Sequence, residues 1–191
     1  ISPLAPAHIP ELPEISGVTC RIARAQYKEW DRCDLTYVEL AKGTSVAGVL
    51  TQSKCPSPEV EWCREALSTG LARGLVVNAG NANAFTGGRG KEAVQLILSM
   101  VSDNLTCAEE EVFVSSTGVI GVPLPKDKVE TGLKAVFKEE PCSWAEAAAT
   151  IMTTDTFPKM ATTSAIIDGQ TVHLNGIIKG SGMIAPDMAT M

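Results

Sequence analysis

Gly74-Leu75-Val76-Val77-Asn78 runs without a break into Ala79-Gly80-Asn81-Ala82-Asn83-Ala84-Phe85-Thr86-Gly87-Gly88, and Lys91 to Val101 follows. The short apolar run predicts a buried strand, and the residues after Gly88 predict a helix. The Gly and Asn residues between them supply backbone with positive φ. A strand, a loop of small residues and a helix together aim backbone N–H groups at one place, which suits a ligand. The loop has no G-x-G-x-x-G and no Walker lysine, so phosphate binding is not predicted. A purely structural turn is the alternative.

The same arrangement recurs downstream. Glu109-Glu110-Glu111 leads into Val112-Phe113-Val114-Ser115-Ser116-Thr117-Gly118-Val119-Ile120-Gly121, a buried strand that ends in a small, polar turn. Backbone N–H groups at Thr117 and Gly118, with the threonine hydroxyl, form a candidate oxyanion hole, a device that supplies ~3–4 kcal/mol of transition-state stabilisation. The alternative is a plain strand-exit turn.

Outward from these two units, Val18–Ala23, Leu35–Leu40 and Ser45–Thr51 are predicted strands, with Gly43 at the turn before the third. Glu59–Leu71 is predicted helical, its acidic first turn suited to the positive end of the helix dipole. Lys126–Lys138 carries an apolar stripe at Val129, Leu133, Val136 and Phe137. Ser143 and Glu146 have capping-box spacing at the start of a helix that reaches Met152. Thr153-Thr154-Asp155-Thr156 follows, with Pro158 ending regular structure; it is either a polar binding patch or a hydrogen-bonded cap. Ala161–Ile167, Asp168-Gly169 and Thr171–Leu174 predict a hairpin, with His173 at a cross-strand or solvent-facing position. Strands and helices mix without strict βαβ spacing, so the fold class is α/β in the broad sense, an α+β mixture. Residues 1–16, with four prolines, are predicted extended, and 17–191 a single domain.

A chain of 191 residues with 45% hydrophobic content can bury a core. A net charge of -6 with no basic run argues against nucleic acid. No apolar stretch is long enough to span a bilayer and no signal peptide is visible, which predicts a cytoplasmic protein. Six cysteines without CxxC spacing and two histidines do not predict a zinc site, and free thiols are expected.

The segment Lys179-Gly180-Ser181-Gly182-Met183-Ile184-Ala185-Pro186-Asp187-Met188-Ala189-Thr190-Met191 carries the chemistry. The Thr190 hydroxyl can attack the uncrowded carbonyl of Ala189, and hydrolysis of the ester would free a threonine with its own α-amine. Hydroxyl and base then share one residue, and the amine's ordinary pKa, about 7.7–8.0, suits neutral pH. Ala-Thr is also an ordinary dipeptide, and Gly-Ser-Gly segments are usually loops.

This segment resembles the cleavage site of the ornithine acetyltransferase family, the glutamate N-acetyltransferases. Val76–Gly87, Ser115–Gly121, Met152–Thr156 and Lys179–Gly182 resemble further segments of that family in the same order, and Ser45–Thr51 and Cys63–Glu65 do so more weakly. The resemblance implies a layered α/β sandwich similar to N-terminal-nucleophile hydrolases but of different topology. It implies a precursor of an arginine-biosynthesis enzyme that cuts itself between Ala189 and Thr190 into α and β chains assembled as α2β2. Thr190 is then the nucleophile that carries acetyl from N-acetylornithine to glutamate, with Thr117 and Gly118 as oxyanion hole and Thr153 and Lys179 as substrate contacts. No metal or cofactor is implied, although some members accept acetyl-CoA. This chain resembles the α part and still holds Thr190 and Met191, so the β residues that complete the pocket are expected on a further stretch. Two other readings stay open: a self-processing N-terminal-threonine amidase or aminopeptidase, and a non-catalytic α/β partner subunit.

Overall fold

The computed structural model of the protein describes residues 2–181 and Met188. It is a mixed α/β structure. Strands β1 (Val18–Ala23), β2 (Leu35–Ser45), β3 (Leu71–Asn81) and β4 (Val112–Val119) form one sheet in that order. The β1–β2 and β2–β3 pairs are antiparallel, and β3–β4 is parallel. The parallel pair needs a crossover, and helix α2 (Gly87–Leu105) provides it. The two strand–loop units of the sequence therefore lie side by side with both exits at one end of the sheet.

Helices α2 and α3 (Lys126–Val136) pack on one face. Their stripes, Ala93, Val94, Ile97, Leu98 and Val101 on α2 and Val129, Leu133 and Val136 on α3, meet Leu35, Tyr37, Val76, Val112 and Val114 of the sheet. Each fully buried aliphatic side chain contributes ~1.5–3 kcal/mol relative to exposure. Helix α1 (Pro58–Ala66) closes a smaller core of Cys63, Ala66, Ala72 and Phe113. Helix α4 (Trp144–Thr150) begins with the predicted capping box: Ser143 Oγ accepts from Glu146 N–H at 3.2 Å, and the Glu146 carboxylate accepts from Ser143 N–H at 2.8 Å. β5 (Lys159–Ile167) and β6 (Gln170–Ile178) form a separate hairpin across Asp168-Gly169. His173 pairs across it with Ser164. Most of the hairpin is solvent-exposed, including Ile166, Ile167, Val172, Leu174 and Ile178.

Several sequence expectations need correction. Ser45–Thr51 is not a third strand: Ser45 ends β2, and the chain then leaves the sheet after Val46 N–H donates to Gly70 O at 2.9 Å. Gly43 does not mark a turn between strands but sits, at φ +85°, in an irregularity within β2. The helix from Glu59 does not reach Leu71. It ends at Ala66, a short 3-10 turn covers Leu67–Thr69, and left-handed Gly70 (φ +69°) redirects the chain so that Leu71 opens β3. All six cysteines are free thiols. Among the described residues no helix is long and apolar enough to cross a membrane.

Candidate active site

At the paired strand exits Ala79 faces Thr117 and Gly80 faces Gly118, and the register slips at Asn81, which pairs with both Thr117 and Val119. The two backbones approach so closely that a Cβ on Gly118 would lie 2.3 Å from the Gly80 carbonyl carbon and 2.5 Å from Asn81 N. Gly118 is also at φ +136°, and Gly80 at +107°. Only glycine fits position 118, in conformation and in space. The slip leaves Gly118 exposed and Thr117 partly exposed.

Beyond the slip the two exit loops are laced together. Ala82 N–H donates to Val119 O and Gly121 N–H to Ala84 O, both at 2.8 Å, and Asn81 Nδ2 donates to Val122 O at 3.0 Å. Beneath them lies a buried polar network. Asn83 Nδ2 donates to Glu59 Oε1 at 2.8 Å and to Gly90 O at 3.1 Å. Ser116 Oγ lies 2.7 Å from Glu59 Oε1 and 2.6 Å from Asn78 Oδ1, and Asn78 Nδ2 donates to Asn81 O at 2.8 Å. Glu59 is only 2% exposed. Burial pushes its carboxyl above the ordinary value, outweighing hydrogen bonds from Ser116, Asn83, its own backbone N–H and Ser57. The acidic first turn of α1 expected from sequence is present as Glu59 and Glu61, with Glu59 buried and Glu61 at the surface paired with Lys91.

A second cluster forms where α4 and the hairpin meet. The Asp155 Oδ1 atom accepts from Lys159 Nζ at 2.6 Å and from Gly180 N–H at 2.7 Å, and Oδ2 accepts from Thr153 N–H at 3.4 Å. Thr154 Oγ1 and Ser181 Oγ are 2.9 Å apart. Thr153 and Lys179 are thus brought together through Asp155. The carboxylate that the sequence left as binder or cap holds the segments joined. Burial raises its pKa, but the hydrogen bonds from Lys159, Gly180 and Thr153 and the Lys159 charge outweigh burial and hold it below its ordinary value. The Lys179 side chain is exposed.

The loop between β1 and β2 connects the two clusters, and sequence reading missed it. Buried Asp34 gathers this loop: its carboxylate accepts from the N–H groups of Ala25 (2.7 Å), Gln26 (3.2 Å) and Tyr27 (2.7 Å). Trp30 lies against Gly80, its Cζ3 3.5 Å from where a Cβ there would be. The Arg32 guanidinium stacks on Trp30, 4.2 Å from the ring centroid, and donates to the Ala149 and Thr150 carbonyls at 3.1 and 3.3 Å and to the Met152 carbonyl. The charged run Asp31-Arg32-Cys33-Asp34 ahead of a strand was the available signal.

Ala189 and Thr190 lie outside the described residues. Met188 is described: its carbonyl accepts from Thr51 Oγ1 at 3.2 Å and from Gln52 N–H. Leu50, beside Thr51, and Ser116, beside Thr117, line one cavity of about 400 Å3. Among the described residues no group of His, Cys, Asp and Glu is placed to hold a metal ion.

A strand pair with a glycine-only contact at its exits, two laced loops and a cavity beneath belong to a mixed α/β fold, and comparison with known proteins names the family. A sequence model of the ArgJ family matches residues 19–191, and the chain belongs to that family. It is 59% identical over 191 residues to the arginine biosynthesis bifunctional protein ArgJ of Zymomonas mobilis and 52% identical over 192 residues to that of Bartonella quintana; each match covers all of this chain and 47% of the relative. The chain thus spans about half the length of these curated relatives. Among solved structures, it is similar to the ArgJ protein of Bacillus halodurans (TM-score 0.82, 30% identity, 90% of each chain). It is also similar to an ornithine acetyltransferase complexed with ornithine from Mycobacterium tuberculosis (TM-score 0.78, 34% identity, 90% of this chain and 92% of that one).

Proposed function

We propose that this chain is the α part of a self-processing acetyltransferase of arginine biosynthesis, acting in the cytoplasm as α2β2. The Thr190 hydroxyl attacks the Ala189 carbonyl, its proton passing to the departing amide nitrogen, and water hydrolyses the ester. The freed Thr190 then attacks the acetyl carbonyl of N-acetylornithine. Ornithine leaves as the amine, and an acetyl ester remains on Oγ. The amine of glutamate attacks that ester, N-acetylglutamate leaves, and the hydroxyl is restored. No cofactor enters this cycle; acetyl-CoA, a thioester rather than an amide, is an alternative acetyl donor.

The observation that carries the reading is the Gly118–Gly80 contact, which leaves Thr117 and Gly118 at the exposed end of a rigid parallel pair. Donors at Thr117 and Gly118 suit the oxyanion of both acyl transfers. Lys179 suits the α-carboxylate of an amino acid, with Thr153 as a second substrate contact. The cleavage reading draws support from length: the chain in the structure with ornithine is matched over 92% of its extent, but full relatives over only 47%.

Intact-mass analysis of the full-length protein tests processing: two fragments divided before Thr190 are expected, and Thr190→Ala should remain a single species. Incubation with N-acetylornithine and glutamate tests transfer. Free acetate without N-acetylglutamate would make the protein an amidase, and an uncleaved, inactive wild type would make the chain a non-catalytic subunit.

A further inference from the structure

The hydrogen positions beneath the oxyanion turn can be counted. Asn78 must present Oδ1 to Ser116, because its Nδ2 donates to Asn81 O at 2.8 Å and the flipped amide would set oxygen against oxygen. Asn83 must present Nδ2 to Glu59, because its Oδ1 accepts from Leu124 N–H at 3.2 Å and its Nδ2 also donates to Gly90 O. Ser116 has one hydroxyl proton and two oxygen neighbours, Glu59 Oε1 at 2.7 Å and Asn78 Oδ1 at 2.6 Å. With Glu59 ionised, one of these contacts is lone pair against lone pair, in a place where Glu59 is 2% exposed. One further proton resolves the conflict: Glu59 donates to Ser116, and Ser116 donates to Asn78.

We propose that Glu59 is a neutral carboxylic acid in the folded protein and acts as a positioning residue for the Thr117–Gly118 turn. Its O–H anchors Ser116, the residue before that turn, while the same oxygen accepts from Asn83 in the facing loop. Burial raising the Glu59 pKa agrees with this proton count. The facing groups are uncharged: Asn78 on β3, Ser116 on β4 and Asn83 in the loop. On α1 itself the titratable neighbour is Cys63, whose thiol donates to Val114 O at 3.3 Å. Arg64 turns to Thr51 O, and the Lys91–Glu61 pair that ties α1 to α2 is 66% and 42% exposed at the surface. No cation on these elements is positioned to hold Glu59 ionised among the described residues.

Glutamine cannot replace the acid. Its nitrogen can donate to Ser116 but then opposes Asn83 Nδ2, and its oxygen can accept from Asn83 but then leaves Asn78 Oδ1 against Ser116. The positioning role rests on the transferase reading; the protonation does not. The test is infrared spectroscopy in D2O on the full-length protein near neutral pH, where ordinary carboxyls are ionised. A protonated-carboxyl C=O band is expected in the wild type and absent in Glu59→Gln. Ser116→Ala, which removes the acceptor, should shift the same band to higher frequency. Raising the pH should remove the band and lower kcat together. Glu59→Gln should lose kcat about tenfold with KM for N-acetylornithine unchanged, equivalent to ~1.4 kcal/mol of positioning, and should lack the alkaline decline. If Glu59→Gln fails to fold, the wild-type titration and Ser116→Ala still decide. Absence of the band near neutral pH, or a band that Ser116→Ala leaves unmoved, overturns the proposal. A band in a protein that transfers no acetyl supports the neutral acid and counts against the transferase reading instead.

Discussion

Gly118 and Gly80 touch across the parallel ladder so closely that neither backbone has room for a side chain from position 118. The contact sets the separation of the two strand exits, and with it the direction of the Thr117–Gly118 N–H groups. Gly118→Ala should cost more than ~3 kcal/mol, combining left-handed strain with overlap against backbone that cannot yield. Gly80→Ala shares the positive φ, but its Cβ would meet the flexible Lys28 side chain at 3.3 Å. It should cost ~1–3 kcal/mol, from strain alone. Urea unfolding of both variants checks the ranking; equal losses would show that the close approach is unimportant.

Thr117→Val removes a hydroxyl and preserves shape at a partly exposed position. Stability should stay within about 0.5 kcal/mol of wild type. The rate of acetyl transfer should fall on the order of 100-fold or more, as for loss of one oxyanion donor. Single-turnover acetylation of Thr190 measures this, and an unchanged rate would remove the hydroxyl from the oxyanion hole.

Asp155 gives a pH dependence of known sign. Its folded pKa is lowered, so the stabilisation is present above the unfolded value of about 3.9 and is lost as pH falls through the folded value. Wild-type stability should therefore drop on acidification below about pH 4, and Asp155→Asn should lack that component. At neutral pH the variant should exchange the Gly180 amide faster and show a higher KM for amino-acid substrate, because the Lys179 segment loses its tie to Thr153. Hydrogen exchange and steady-state kinetics report the two effects separately.

Arg32→Lys keeps the charge but loses the planar fork that reaches the Ala149, Thr150 and Met152 carbonyls and stacks on Trp30. A loss of ~1–2 kcal/mol is expected, read by thermal melting. Full stability in the variant would show that a point charge at the end of α4 suffices.

Where a signal is local, residue patterns located the structure. Val18–Ala23 forms a strand over its whole predicted length, Ser143 and Glu146 make their reciprocal cap, and Asp168-Gly169 turns the hairpin. The small, polar strand exits at Asn81 and Gly118 could be read from composition because close backbone approach demands those residues. Ser45–Thr51 misled because a β-branched, alternating run carries strand propensity wherever it lies, while its fate depends on Gly70, distant in the chain. The place of Glu59 in an acidic first turn was legible, but its burial was not, because the partners Ser116 and Asn83 come from other elements. The charged run around Arg32 was the one signal for its loop, but its partners could not be read because they are carbonyl groups, which every residue has.

The β5–β6 hairpin has a practical consequence. Ile166 (78%), Leu174 (67%) and Ile178 (65%) lie bare to solvent on a two-stranded ribbon. Such a ribbon offers its outer hydrogen-bonding rims to any other extended polypeptide. Preparations of this polypeptide by itself should self-associate as concentration rises, so light scattering against dilution belongs at the start of any solution work.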